Sequence, residues 1–358
     1  MHTFIALTLV ALAPLQDKPA AAGPKKSAFT AVNEIVLTPP KDAQTLKAWI
    51  ALPQEDALSE LRDLEITAPV PHKITQDSEG NRVLYIEASA PFPAEFKVKT
   101  SFGITRSEQR MSTDPKATRP HTEAELKELA HDLLPNANIV ITDEVRELAR
   151  KIVGDEKNPV IVAKKLYDWT LVNVDYWVKD PAHKKASPVG SSEYCLSTRT
   201  GNCTDFHSLY AALARAAQLP TRILYGSFFK AELDGKDTDQ SYHCWLEFHA
   251  PQIGWIPIDV AIADIFVGDF KLDKDNETLV KRTTAAGYEK ADPKMVEYYF
   301  GNIDERRVLW SRGRDLVLDP ATAAGNVNAL PKAHVEIDGA VAAEKTGWTR
   351  KLTYHQKR

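Results

Sequence analysis

A cysteine stands where a helix ought to begin, in Gly201-Asn202-Cys203-Thr204-Asp205-Phe206-His207. A histidine and an aspartate follow in strand-like text, in Tyr242-His243-Cys244-Trp245-Leu246-Glu247-Phe248 and in Gly254-Trp255-Ile256-Pro257-Ile258-Asp259. These residue types are what a thiol nucleophile, the base that takes its proton and the acid that orients the base require. Helical spacing of Phe206, Leu209, Tyr210, Leu213, Ala214 and Ala217, stopped by Pro220, puts Cys203 in a first turn. Free amides and the helix dipole there favour a thiolate over an ordinary thiol of pKa about 8.5. The same amides, with the N–H of Cys203 itself, can hold an oxyanion. A buried inert cysteine is the ordinary fate of a lone Cys on an apolar face, so Cys203 alone decides little.

His243 and Asp259 shift that balance. Residues 241–249 alternate, with Cys244, Leu246 and Phe248 on one face and His243, Trp245 and Glu247 on the other; Trp255, Pro257 and Asp259 share a face of the next strand. A hairpin folded about Pro251 is expected to set position 243 opposite 259, with Cβ atoms about 5 Å apart on one face. Cys244 is thereby turned toward the core and reads as a structural thiol. His207, one turn after Cys203, is in place to hydrogen-bond near the site, but a surface or packing role is the favoured expectation, and His249 is expected in solvent at the hairpin end; His131 and His183 have no partner nearby in sequence. The stretch Lys230 to Gln240, centred on Asp234-Gly235, reads as a mobile hairpin tip, either a lid or a solvated turn. Zinc competes for this region, but only His243 and His249 have a ligand-like spacing, and they lie on a strand. Neither a metal nor a cofactor is expected.

The elements that must position these residues are legible around them. Before residue 112 the text is strand-like over Val32 to Leu37, Leu46 to Leu52, Leu64 to Thr67, Arg82 to Ala88 and Phe96 to Thr105, with turn signals between. A polar linker at 114–120 separates this from helical text. Thr122 with Glu125 forms a capping box, Thr142 and Asp143 open a second helix, and Asn158-Pro159 opens a third. The chain has 358 residues, 43% apolar and 26% charged, enough for two domains. Its net charge of −4 has no basic block, which excludes an electrostatic nucleic-acid binder. Three cysteines cannot form a disulfide framework. The apolar run Phe4 to Leu15 has the size of a secretion-signal core and Ala20-Ala21-Ala22 offers a cleavage site, so a secreted or periplasmic protein is expected. No later segment is long and apolar enough to span a membrane.

Three blocks share their order and spacing with the transglutaminase-like superfamily of papain-type cysteine enzymes. They are Gly201 to Phe206 with Leu213 to Arg222, His243-Cys244-Trp245-Leu246-Glu247, and Trp255-Ile256-Pro257-Ile258-Asp259. The chain resembles that family over about residues 160–265, and secreted bacterial members more weakly in its flanks. The resemblance implies an α+β fold, a papain-like core with a Cys-bearing helix packed on an antiparallel sheet, and a β-sandwich before it. It implies a Cys203, His243 and Asp259 triad, with Tyr176 and Trp177 as candidates for a second oxyanion donor. Trp245 and Trp255 are candidates for lining a substrate groove. The expected division is a signal peptide at 1–22, a β-sandwich at 28–112, a catalytic domain at 121–320 and a β-rich C-terminal extension at 321–358. The expected chemistry is attack on an amide of a protein or peptide through an acyl-thioester. Hydrolysis is favoured because no calcium loop of the D-x-[DN]-x-[DN]-G type appears. Transfer to an amine, or an exported scaffold that keeps the triad without turnover, are the alternatives.

Overall fold

The computed structural model describes residues 23–268, 270–272, 279–281 and 290–357. The expected signal peptide at 1–22 lies outside the described residues.

The strand Lys26–Leu37 alternates along its length and buries Phe29, Ala31, Ile35 and Leu37. It sits inside a four-stranded sheet ordered Trp348–Lys357, Lys26–Leu37, Lys97–Ser107, Ser59–Thr67. A five-stranded sheet is ordered Ala340–Val341, Ala333–Ile337, Thr45–Ala51, Arg82–Ser89, His72–Gln76. Ile35, Leu46, Ile50, Leu84, Val98 and Val335 form one core cluster drawn from both sheets. The strands expected between 28 and 112 are present, and the pattern gave no sign of two more, His72–Gln76, an edge strand with no buried residue, and the two-residue Gln109–Arg110.

The stretch expected as a separate C-terminal extension is β-rich but completes the first domain. Trp348–Lys357 pairs antiparallel with Lys26–Leu37, and Ala333–Ile337 with Thr45–Ala51. The physical reason is burial: Val335, Leu352 and Tyr354 are fully buried, among core residues of these sheets. Alternation identifies such strands but not partners some three hundred positions away.

Between these segments lies the helical part: α1 (Glu123–Glu128), α2 (Asp143–Val153), α3 (Pro159–Asn173), α4 (Ser192–Thr198) and α5 (Cys203–Ala216). Thr122, Thr142 and Asn158 cap the first three as expected, and Thr122 with Glu125 completes a capping box. Helix α5 is buried over thirteen of its residues, from Cys203 to Arg215. It packs on an antiparallel sheet ordered Gly254–Ile258, Tyr242–Ala250, Thr221–Phe228, Arg307–Arg312. Two short helices follow the sheet's hairpin, α6 (Val260–Ile265) and α7 (Pro293–Tyr298). Gly226 lets the central strand approach its neighbours: a Cβ there would lie 2.3 Å from the Val308 carbonyl oxygen and 2.7 Å from the Trp245 ring.

Candidate active site

Asn202 ends extended backbone and caps α5, its side chain accepting from the Asp205 N–H at 3.0 Å while Asp205 accepts from the Asn202 N–H at 2.9 Å. Asp205 is wholly buried and also accepts from the N–H groups of Ser187 and Ser191 and from the Ser187 hydroxyl, tying the 187–191 loop to the helix start. Gly201 is required beside it, since a Cβ there would lie 2.3 Å from the Asp205 Cβ. Cys203 is thus the first residue of α5, 3% exposed.

The hairpin brings His243 and Asp259 to it with a register different from the expected one. Leu246 faces Ile258 and Ala250 faces Gly254, around a Pro251 to Ile253 turn with Gln252 at φ 72° and Gly254 at φ 96°. Position 243 is therefore displaced by two residues from direct opposition to 259. An even displacement keeps both side chains on one face. It also carries Asp259 past the strand end to the N-cap of α6, where Asp259 Oδ1 accepts from the Ile262 N–H at 3.0 Å. The His243 Nε2 meets Asp259 Oδ2 diagonally at 2.8 Å, leaving Nδ1 to face the thiol.

The electrostatics form one coupled set. The Cys203 thiol lies well below its usual range: a hydrogen bond from the Cys244 thiol is the largest cause, burial opposes it, and the charge and hydrogen bond of His243 add to it. Burial pulls the His243 imidazole down, but the charges of Asp259 and Cys203 outweigh it and raise it to about 9. Asp259 is held below the usual carboxylate range, the cationic His243 and Arg307 overcoming a burial that would raise it. Both shifts favour a thiolate facing an imidazolium.

Asp259 is held from behind by Arg307, which the sequence reading did not include, and His207 lies beside it. Arg307, fully buried, donates from Nη1 to Asp259 Oδ2 at 3.0 Å and from Nε to Asp304 Oδ2 at 2.8 Å. Its guanidinium stacks 4.4 Å from the Phe228 ring centroid. The available signal was an arginine heading the apolar strand Val308-Leu309-Trp310. His207, expected at the surface or in packing, is fully buried, with Nδ1 3.3 Å from Cys244 Sγ and Nε2 3.6 Å from Asp259 Oδ1. Burial pulls it down to about 4, so it stands neutral against the cationic His243.

Tyr176 reaches the thiol through a two-residue parallel pairing in which it lies beside Gly201. Its phenol is pushed well above its usual range by burial and then by the Cys203 charge, with which it also makes a hydrogen bond. Trp177 joins Tyr176, Cys203 and His243 in lining a hollow of about 350 Å³. Trp245 and Trp255 are not in it. Trp245 is fully buried against Gly226 and Arg307, and Trp255 stacks with Arg222 and His249 at the far end of the hairpin.

The other histidines weighed in the sequence, His249, His131 and His183, each have a partner. His249 is half-buried and lies 3.1 Å from His121, rather than standing in solvent. His131 contacts Glu79 at 2.6 Å and His183 contacts Asp180 at 2.9 Å. The expected mobile tip at 230–240 is tied down: the Gly235 and Thr238 N–H groups donate to Tyr354 and Leu352, and Lys332 pairs with Asp239 at 2.8 Å. Lys230, Gln240 and Ser241 form part of the hollow's wall.

A cysteine on a capped helix, facing a histidine on a packed antiparallel sheet, is the arrangement of a papain-type core. Residues 146–260 match the Transglutaminase-like superfamily, and the chain carries a transglutaminase-like domain within an α+β fold. An uncharacterised protein of Haemophilus influenzae is 28% identical over 214 residues, covering 54% of this chain and 53% of that protein. The uncharacterised protein YebA of Bacillus subtilis is 26% identical over 128 residues, covering 33% of this chain and 17% of that protein. The chain thus spans about half the length of the first relative and less of the second. Among solved structures, a candidate cysteine protease from Cytophaga hutchinsonii superposes with a TM-score of 0.51 at 16% identity, covering 92% of this chain and 98% of that one. The periplasmic domain of TgpA from Pseudomonas aeruginosa matches with a TM-score of 0.34 at 16% identity over 65% of this chain and 88% of that one. The family match supports cysteine-based catalysis in general. No helix among the described residues is long and apolar enough to cross a membrane.

Proposed function

We propose that this protein hydrolyses amide bonds in peptides or proteins, with Cys203 as nucleophile, His243 as acid and base, and Asp259 as orienter. The observation that carries this is the buried chain of contacts from Cys203 through His243 to Asp259, opening onto one hollow. The thiolate attacks the amide carbonyl, and the carbonyl π electrons move onto oxygen. The Cys203 N–H at the start of α5 and the Tyr176 hydroxyl are the donors for that oxyanion. His243 gives its proton to the departing amine, leaving an acyl-thioester on Cys203. It then takes a proton from water as the water attacks, and the acid leaves with the thiolate restored.

Release of amine from a mixed peptide library by the parent protein, and its loss in Cys203→Ala, tests this. Incorporation of a dansyl-labelled amine is followed in parallel. Release without incorporation supports hydrolysis, incorporation supports the amine-acceptor alternative, and neither, with a thiol no more reactive than free cysteine, overturns the enzyme reading. Export belongs to the same proposal, and N-terminal sequencing of the mature protein checks it.

A further inference from the structure

A second hollow, about 600 Å³, adjoins the one at Cys203 and shares Asn202 and Tyr242 with it. Thr204, next to Cys203 in the chain, is among its lining residues, and its hydroxyl lies 2.9 Å from that of Tyr242. One side comes from the 188–190 loop that Asp205 ties to α5. The other comes from residues 324–348, which complete the β-sandwich. Val327, Ala329, Pro331 and Trp348 are apolar on that side. Val189 and Val341, 44% and 58% exposed, are among the large apolar side chains left in water, and both line this groove.

The charged groups in the groove are satisfied within the protein. Lys332 Nζ lies 2.8 Å from both Asp239 and Glu344, and His334 Nε2 lies 3.1 Å from Glu336. No ionic side chain of the lining therefore asks for a counter-charge. A polar group does ask for a partner: Tyr225 is fully buried, and its hydroxyl has none.

We propose that this groove is a substrate subsite that takes the uncharged, apolar side chains of an extended peptide whose scissile amide lies at Cys203. It rests on the function proposed above. It assigns the β-sandwich a direct part in recognition, since that domain supplies one wall. A cleft running from nucleophile to sandwich selects chain length as well as side-chain type, because each further extended residue reaches roughly 3.3–3.6 Å more of the groove.

The test uses two readouts on the full chain. The first is kcat and KM for a short amide that fills only the Cys203 hollow and for hexapeptides extended in each direction with apolar or acidic residues. The second is fluorescence titration of dye-labelled hexapeptides against Cys203→Ala. Apolar hexapeptides extended toward the groove are expected to exceed both the short amide and acidic hexapeptides in kcat/KM. Val189→Glu and Val341→Glu, both at exposed positions, are expected to raise KM for the favoured hexapeptide about tenfold. They should leave kcat and the short amide's kcat/KM unchanged, and they should weaken hexapeptide binding to Cys203→Ala. Equal effects on short and long substrates, or no preference for length and apolarity, would overturn the subsite. If no amide is cleaved, the catalytic reading fails. The titration then judges the groove separately: binding weakened by either glutamate supports it, and binding unaffected by both refutes it.

Discussion

Replacing Asp259 with asparagine removes the negative charge from a point where two cations converge and leaves the local fold in place. Asparagine is as good an N-cap as aspartate, so the contact to the Ile262 N–H and the start of α6 are retained. With its oxygen kept on the Ile262 N–H, the asparagine sets an NH2 where His243 at 2.8 Å and Arg307 at 3.0 Å had met a charged oxygen, and imidazolium and guanidinium then face each other with no anion between them. A hydrogen bond to a charged group contributes about 1.5–3 kcal/mol, which corresponds to about 1–2 pH units on the imidazole. His243, raised to about 9 in the parent, should fall to between about 7 and 8 in the variant. A base with a raised pKa is protonated at lower pH and loses its proton as pH rises through that value, so the alkaline limb of the pH–rate profile should move down. Amide hydrolysis measured as kcat/KM from pH 5 to 10 reads this limb, as a property of the Cys203 and His243 pair. At pH 9 the variant should keep between about a fifth and about a fiftieth of the parent's remaining kcat/KM. An alkaline limb that stays near 9 in Asp259→Asn would refute the claim that this carboxylate keeps His243 protonated.

Cys244→Ala removes the thiol hydrogen bond that does most to lower Cys203, so the acid limb of Cys203 alkylation by iodoacetamide should move up by about 1 pH unit. Arg307→Met leaves Asp259 and Asp304 without their buried cation and should destabilise by about 3–5 kcal/mol, read as a lowered urea midpoint. Gly226→Ala drives a methyl into the Val308 carbonyl and the Trp245 ring, at a cost of about 1–3 kcal/mol by the same titration.

What the sequence made legible was whatever is encoded locally. The caps at Thr122, Thr142 and Asn158 lie within a turn of what they cap, and the α5 start followed from Gly201 through the apolar spacing after Cys203. Side-chain parity on the hairpin was legible as well, which is why His243 and Asp259 meet although the register is displaced by two. The displacement was not legible, because a turn of residues with positive φ set it and the apolar pattern tolerates even shifts. Arg307 escaped notice because a buried arginine between two carboxylates has no local signature, its partner Asp259 being far along the chain. Trp245 and Trp255 were placed on the site's face correctly in parity, but aromatic residues on that face pack against Arg307 and Arg222 instead of opening to a ligand. The closing of the sandwich by residues 333–357 was invisible for the same reason of distance.

That last arrangement bears on the order in which the protein comes into being. Residues 230–241, which contribute to the wall beside Cys203, are held by backbone hydrogen bonds to Leu352 and Tyr354. During synthesis Cys203, His243 and Asp259 all emerge before the strand Trp348–Lys357 exists to secure that wall. A nascent or prematurely terminated chain thus has its reactive groups in hand but not the finished cleft. Completion of that wall waits for the strand Trp348–Lys357 to be made and to pair, so the cleft is the last part of the site to form.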